Sequence, residues 1–403
     1  MLEFNSASVR IADGARAVDE CFEIMYGDQT PPDGGLWIVN AVIGHKLEKI
    51  ASAIRARIPS ASVLGSSCGG IVGREGAGES MTHMAVMTVN GPPDEVAWSA
   101  ADDFHADSAY QKGLTLAGDL KGKLPGAKII YLLTPGLDSR NDELLRAFHE
   151  VFGKDIVIFG GASSDNYKGV VTSQYIGGKA CADGVWAVGF ADASLKSAAR
   201  ATHGFSAYGD PMTVTKADRN FILELDGQPA WTAYSQNLGD ISADDVKKVL
   251  VSGGLAISLD PALAREYGSA CILRMGLPQE DSGAIRLSVS VKEGDQFYFT
   301  TRDEDLIFSE QKKALDALRR DMISNSKGDP RPAAVFQTDC LLRGRTLFDK
   351  VMKDEIIGMM QNAFSIDGEI PPWLGMYGFG EFCPTGGQNL FHTYTTSLLV
   401  LYR

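Results

Sequence analysis

The chain has 403 residues, 44% of them hydrophobic and 22% charged, with a formal net charge of −13. That length predicts about two to three domains, with enough core that neither disulfides nor metals are needed to hold it together. The acidic balance, in which the densest basic stretch is Leu318-Arg319-Arg320, excludes nucleic acid as a partner, because neutralising phosphates requires a basic face.

In chain order, the N-terminal M-L-E-F-N-S-A-S-V-R lacks the basic region and apolar core of a signal peptide. Residues 45–58 place Leu47, Ile50, Ile54 and Ile58 on one helical face, and a strand, A-S-V-L, runs from there into Gly65. Lys128 to Leu133 reads as a buried strand. Asn141 to Phe152 follows as a helix, with Asn141 as N-cap and acidic residues in the first turn. Ile156 to Phe159 is a further apolar strand, ending in Gly160-Gly161. Between 170 and 190 short strands and turns predict an antiparallel portion, and G-D-P-M-T-V-T-K-A-D breaks the pattern at 205–220. Beyond it the spacing predicts helices over 229–238 and 243–252, and strands near 271–274, 284–290 and 296–300. A long helix over 304–323, a strand over 333–338, a helix over 345–363 and a central strand over 395–402 complete the chain.

The alternation of strand, glycine loop and helix predicts an α/β (α+β) fold. It divides into two domains, 1–210 and 211–403, with mixed β-sheets flanked by helices and glycine-rich strand-end loops lining a cleft. No apolar run approaches the ~18–20 residues of a membrane span, so no membrane partner is expected. Six cysteines without CxxC spacing fit reduced thiols in a cytoplasm. No repeat of the ~20–50-residue solenoid kind is visible, but V-L-G-S-S-C-G-G, I-F-G-G-A-S-S-D and W-L-G-M-Y-G-F-G echo one another as strands ending in small residues.

Three glycine motifs fail on chemistry. G-R-E-G-A-G-E-S has phosphate-loop spacing, but Glu79 stands where a lysine must hold phosphate. G-F-G-E-F-C begins like a dinucleotide fingerprint, then places Cys383 and Pro384 where a third glycine and a helix belong. G-S-S-C-G fits a nucleophile elbow with Ser67, but the residues after it, G-I-V-G-R-E-G-A-G, are poor helix formers. A triad of Ser67, Asp138 and His392 would have the right order with nothing local to join it. The six histidines lack metal-site spacing, so no metal is expected, while a single axial ligand for haem needs only one histidine. T-D-C-L-L-R-G-R sets Cys340 at a strand end near Arg343 and Arg345, guanidinium groups that lower a thiol's pKa and bind carboxylates. In L-G-M-Y-G-F-G-E-F-C-P, Gly375, Gly378 and Gly380 permit close backbone approach, Tyr377 offers a ring and hydroxyl, and Glu381 an acceptor for amines.

These last segments, with F-H-T-Y-T-T-S-L-L-V-L, resemble the FIST C domain. Upstream, V-L-G-S-S-C-G-G-I-V-G, F-G-G-A-S-S-D-N and L-E-L-D-G-Q-P-A-W-T-A-Y resemble the FIST N segment and the start of its partner, so that the likeness covers nearly the whole chain. It implies a sensory, small-ligand-binding protein of signal transduction, with amino acids as the ligand class. With the FIST pair taking up the sequence, it would act through a separate partner such as a histidine kinase. One branch of the family binds haem and senses nitric oxide, and T-H-G-F-S-A-Y-G makes His203 the residue to inspect as haem ligand. The chain departs from the pattern at Cys68, where a small hydroxyl residue is expected, and at the bulky Phe382-Cys383. Three readings stand at this point. The first is a sensor of an amino acid or small polar metabolite, held by Arg343 or Arg345, Glu381 and Tyr377 with Cys340, Cys68 and the glycines around it. The second is a haem-based nitric oxide sensor. The third is a hydrolase using Ser67 or Cys340.

Overall fold

In a computed structural model, three of the four sheets follow one plan. Residues 1–237, 250–251, 253–279 and 281–403 are described; the helix expected over 243–252 lies outside them except for 250–251, which are helical. The first unit runs through strand Glu3–Arg10, helix Gly14–Tyr26, strand Leu36–Val42, helix Leu47–Arg57 and strand Ser62–Cys68. A hairpin (Gly70–Gly73 and Gly76–Gly78) and strand His83–Asn90 complete it. The second repeats that order with Val96–Ala101, helix Ala109–Lys123, Ile129–Thr134, helix Asn141–Phe152 and Val157–Ala162, then the hairpin Gln174–Ile176/Lys179–Cys181 and strand Val185–Phe190. The third has Lys196–Thr202, helix Glu304–Ser324, Pro332–Cys340, helix Lys350–Phe364 and Trp373–Gly378, then the hairpin Glu381–Thr385/Gln388–His392 and strand Thr396–Tyr402.

Each unit has one parallel pair joined across a helix: Leu36–Val42 with Ser62–Cys68, Ile129–Thr134 with Val157–Ala162, and Pro332–Cys340 with Trp373–Gly378. The hairpins are exchanged in a ring. That of the first unit pairs with Trp373–Gly378, that of the second with Ser62–Cys68, and that of the third with Val157–Ala162. The fourth sheet is an insertion in the third unit, built of antiparallel strands between Phe205–Asp218 and Gln296–Arg302. The repeat escapes a search for short periods because each unit is far longer than a solenoid repeat. The division at 210/211 falls inside the strand Phe205–Asp218, and hairpins from either side of it complete sheets on the other.

Alternation along the strands separates two kinds of core. On Leu36–Val42, the side chains of Leu36, Ile38 and Val42 join a central cluster shared by all three units, while Trp37, Val39 and Ala41 pack under the first unit's helices. Ala334 and Phe336 point to the centre in the third unit, and Val335 points to its helices. Strands buried on both faces read as apolar runs, which is why 128–133 and 395–402 are legible in the sequence. The centre is aromatic. The Tyr131 ring lies 4.8 Å from Phe336 and 5.6 Å from Trp186, and burying a side chain of this kind contributes about 1.5–3 kcal/mol.

Several sequence expectations need correction. Gly65 and Gly160 lie within strands instead of ending them. At Gly160 φ is +147° and a β-carbon would lie 1.9 Å from the Leu132 carbonyl oxygen, so sheet geometry excludes any side chain there. The cap residue of Asn141–Phe152 is Arg140, and Asn141 is buried with its Nδ2 donating to Ser139 Oγ. The break expected at 205–220 is a long, largely exposed strand, irregular in register between Tyr208 and Met212. The strand expected over 284–290 stops at Arg286. The helix expected from 345 begins at Lys350, because Leu341–Arg343 first forms a 3-10 turn. Among the described residues, no helix is long and apolar enough to cross a membrane.

Candidate functional site

The three echoing segments are the third strands of the three units, and the chain just beyond their ends meets in one place. Ser67 Oγ donates to the Ser164 carbonyl at 3.0 Å and accepts from the Ser173 amide at 2.8 Å. Ser66 and Ser163 hydroxyls lie 3.0 Å apart. Gly69 N–H donates to the Tyr377 carbonyl (3.1 Å), Ser164 Oγ donates to the same oxygen (2.6 Å), and Phe379 N–H donates to the Ala162 carbonyl (3.0 Å). Gly375 pairs mid-strand with Gln337 and Val72, Gly378 closes that strand opposite Cys340, and the Gly380 carbonyl accepts from Ala162 N–H at 2.9 Å. This junction is small-residue backbone packed on backbone.

Charged side chains gather on the third unit's side of the junction. The strand Pro332–Cys340 carries Asp339 and Cys340 at its end, and the 3-10 turn folds Arg343 back into the interior, leaving it 1% exposed. Arg343 Nη1 donates to the His203 carbonyl at 3.1 Å, while its buried Nε and Nη2 have no partner. Glu381 opens the next hairpin. Its Oε2 accepts from Thr395 Oγ1 at 2.6 Å and from Thr395 N–H at 3.2 Å, and its buried Oε1 has no partner. Arg302, at the end of the inserted sheet, donates through Nη1 to the Leu342 carbonyl and leaves Nε and Nη2 unpartnered. Thr338 Oγ1 is a further buried group without a partner. Interiors satisfy nearly all such groups, and these four side chains together leave six polar atoms without a partner.

The electrostatics follow from burial. Burial pushes the Glu381 carboxyl well above the usual range; bonds from Thr395 oppose this, and Asp339 adds to it. Burial raises Asp339 to about 6, against the pull of Arg343. Burial and then Arg343 bring Arg302 down to about 9. Tyr377, also fully buried, is pushed up first by burial and then by Asp339. Burial raises Glu310, on helix Glu304–Ser324, against the amides of Gly204 and His203. Asp339, Arg343, Glu381, Arg302, Cys340 and Tyr377 are thus close enough to act on one another's charge. A cavity of about 280 Å³ opens between Glu304–Ser324 and helix Pro261–Tyr267, lined by His203, Tyr267, Glu310, Arg265 and Lys313; none of the six lines it, and Arg343 reaches it only through the His203 carbonyl.

Other sequence-selected residues sit elsewhere or in a different state. Arg345 is exposed, its guanidinium 4.7 Å from the Tyr167 ring centre, and its amide donates to Glu79 Oε2 at 2.9 Å. That carboxylate also accepts from Tyr167 OH (2.7 Å) and pairs with Lys353, so Glu79 organises a second, structural cluster. Cys68 lies in the central apolar core. The Cys340 thiol is pushed up to about 12, by burial and then by Glu381, where nearby guanidinium groups were expected to lower it; Arg302 opposes the rise too weakly. Ser67 has neither a histidine nor a carboxylate among its hydrogen-bond partners, His392 bonds to Thr385 and the Cys383 carbonyl, and Asp138 pairs with His105 on the surface. His203 does not fit a haem iron: it is fully buried, Nδ1 accepts from Phe205 N–H (2.9 Å) and Nε2 lies 3.1 Å from the Cys271 carbonyl. Burial brings its pKa down to about 4.

The residues that sequence reasoning missed are Arg302, Asp339, Glu310 and Thr395. Asp339 carried a signal, since a carboxylate inside an apolar strand must be paired or neutral.

Comparison with known proteins matches two domain models along the chain. The sequence model of the FIST N domain matches residues 36–228 and that of the FIST C domain residues 230–384. An uncharacterized Mycobacterium tuberculosis protein is 25% identical over 359 residues, covering 87% of this chain and 86% of the relative. An uncharacterized Mycobacterium bovis protein is 27% identical over 210 residues, covering 49% of this chain and 48% of its own. A crystal structure of a cyanuric acid hydrolase from A. caulinodans spans 99% of both chains at 9% identity, with a TM-score of 0.31 that is too low to bear on fold or activity.

Proposed function

The chain belongs to the FIST family, a premise from which we propose that it is a cytoplasmic sensor of an amino acid or similar small polar metabolite, acting through a separate signalling protein such as a histidine kinase. FIST domains are sensory domains that bind small ligands in signalling. One observation carries the ligand class. Arg343 and Glu381 each keep unpartnered hydrogen-bonding atoms while fully buried, and Arg343 Nη1 bonds the carbonyl of His203, which lines the cavity of about 280 Å³. A guanidinium with free N–H groups binds a carboxylate, and in a dry site such a charge-assisted bond is strong. Glu381, whose pKa burial raises, has a free carboxyl oxygen for the polar end of the same ligand. Asp339 and Tyr377 act on the charge of Arg343 from the same buried cluster, and Cys340 is a packing residue.

Native mass spectrometry of the purified chain, followed by calorimetric titration with the proteinogenic amino acids, tests this reading. A co-purified metabolite, or saturable binding that Arg343→Lys weakens about tenfold or more, supports it. Binding unaffected by Arg343→Lys and Glu381→Gln contradicts the assigned site.

A further inference from the structure

A second cavity, of about 560 Å³, lies at the seam between the inserted sheet and the second unit, away from Arg343. Its size is that of a small-molecule site, about 300–1,000 Å³. Leu145, Ile257, Val289 and Phe391 give it apolar walls. Arg274 projects from the inserted sheet into this setting. Its Nη1 donates to the Leu273 and Phe391 carbonyls, both at 2.9 Å, and its buried Nε has no partner. Burial brings this guanidinium down to about 10, so it stays cationic at neutral pH.

The remaining charges on the wall differ in how they are engaged. Asp142 accepts from Ser290 N–H at 2.9 Å, Glu150 accepts from Tyr110 OH, and Arg146 pairs with Glu143. Lys154, at the exposed rim, has no ion pair among the described residues. His149 Nε2 lies 2.9 Å from Asn389 Nδ2, which can only donate, so the ring is the neutral tautomer with its proton on Nδ1. Burial lowers the pKa of that ring, which fits the same state. Arg274 inside, with Asp142 acting on its charge, and Lys154 outside are the cations without an ion pair among the described residues, with apolar surface between them.

We propose that this seam is a separate binding site for a small organic anion with an apolar body, such as an aryl or branched aliphatic carboxylate. Arg274 takes the carboxylate and the walls from both sheets take the hydrocarbon. Because the walls come from the insertion, the second unit and the third unit's hairpin strand Gln388–His392, a bound molecule clamps the insertion to the body. The proposal does not rest on the ligand assigned to Arg343.

Calorimetry on the full chain with phenylacetate, phenylacetamide and phenethylamine tests it. The expected result is saturable binding of phenylacetate, with the neutral amide and the amine weaker by about tenfold or more. Arg274→Gln is expected to lower phenylacetate affinity about tenfold, and the exposed Lys154→Glu about threefold, while Arg343→Lys leaves it unchanged. Lys154→Glu keeps the test open should Arg274→Gln fail to fold. Absence of phenylacetate binding, equal binding of the amine or amide, or affinity indifferent to these charge changes overturns it.

Discussion

Replacing Asp339 by asparagine isolates the cost of holding a carboxylate at the centre of the charged cluster. The native fold raises this group from 3.8 to about 6, with burial opposing ionisation more strongly than Arg343 favours it. An acid whose folded pKa lies above its unfolded value takes up protons on folding, so its penalty is absent below 3.8 and complete above about 6. That difference corresponds to about 3 kcal/mol at pH 7.5 and about 1 kcal/mol at pH 4.5. Asparagine has the same shape, can still accept from Gln337 Nε2 (3.0 Å in the native chain) and carries no charge at either pH. Asp339→Asn is therefore expected to be more stable than the parent by up to about 3 kcal/mol at neutral pH, with the gap closing in acid. Urea unfolding of both proteins at pH 7.5 and 4.5, followed by far-ultraviolet circular dichroism, reads this as a midpoint shift at constant slope. A variant less stable than the parent at pH 7.5, or a gap that does not change with pH, would refute the reasoning. Such a stabilising substitution in the buried cluster is also expected to weaken ligand binding, since sites retain charges that stability alone would discard.

Two further outcomes follow from burial. His203 and His392 are held neutral, at about 4 and about 3 against 6.5, so their contribution is intact above pH 6.5 and is lost as pH falls through those values. Acid unfolding should steepen below pH 6, and His203→Gln should flatten that dependence by about 3 kcal/mol between pH 7 and 4, measured by the same urea series; an unchanged acid limb counts against it. Among the cysteines, Cys181 is partly exposed and the other five are buried. Timed alkylation of the native chain at pH 8 should modify Cys181 first, by mass spectrometry of its peptides; early labelling of Cys340 would mean its thiol is activated after all.

How much of this was legible depended on the range of the interaction. The apolar strands and the long helix over 304–323 follow from local periodicity and could be read directly. The ring exchange could not, because Tyr377 pairs with Gly70 and Glu381 with Gly161, contacts that no local pattern announces. Gly65 and Gly160 were misread for the same reason. Local propensity makes glycine a strand breaker, and only the neighbouring elements show that nothing larger fits at Gly160 and that space is tight at Gly65. In the site, Arg343 and Glu381 were recognisable as residue types, but the 3-10 turn that sends Arg343 inward and leaves Arg345 outside was not. Arg302 and Glu310 arrive from a separate sheet and helix. The Cys340 expectation counted nearby cations and left out depth, which decides the sign.

We propose that Arg343 and Glu381 together bind a small polar ligand. Calorimetric titration of the full chain, Arg343→Lys and Glu381→Gln with the proteinogenic amino acids tests it most directly. Saturable binding of at least one amino acid by the parent, and a loss of about tenfold or more in each variant, are expected. Failure of the parent to bind any of them, or variants that bind as the parent does, would contradict it.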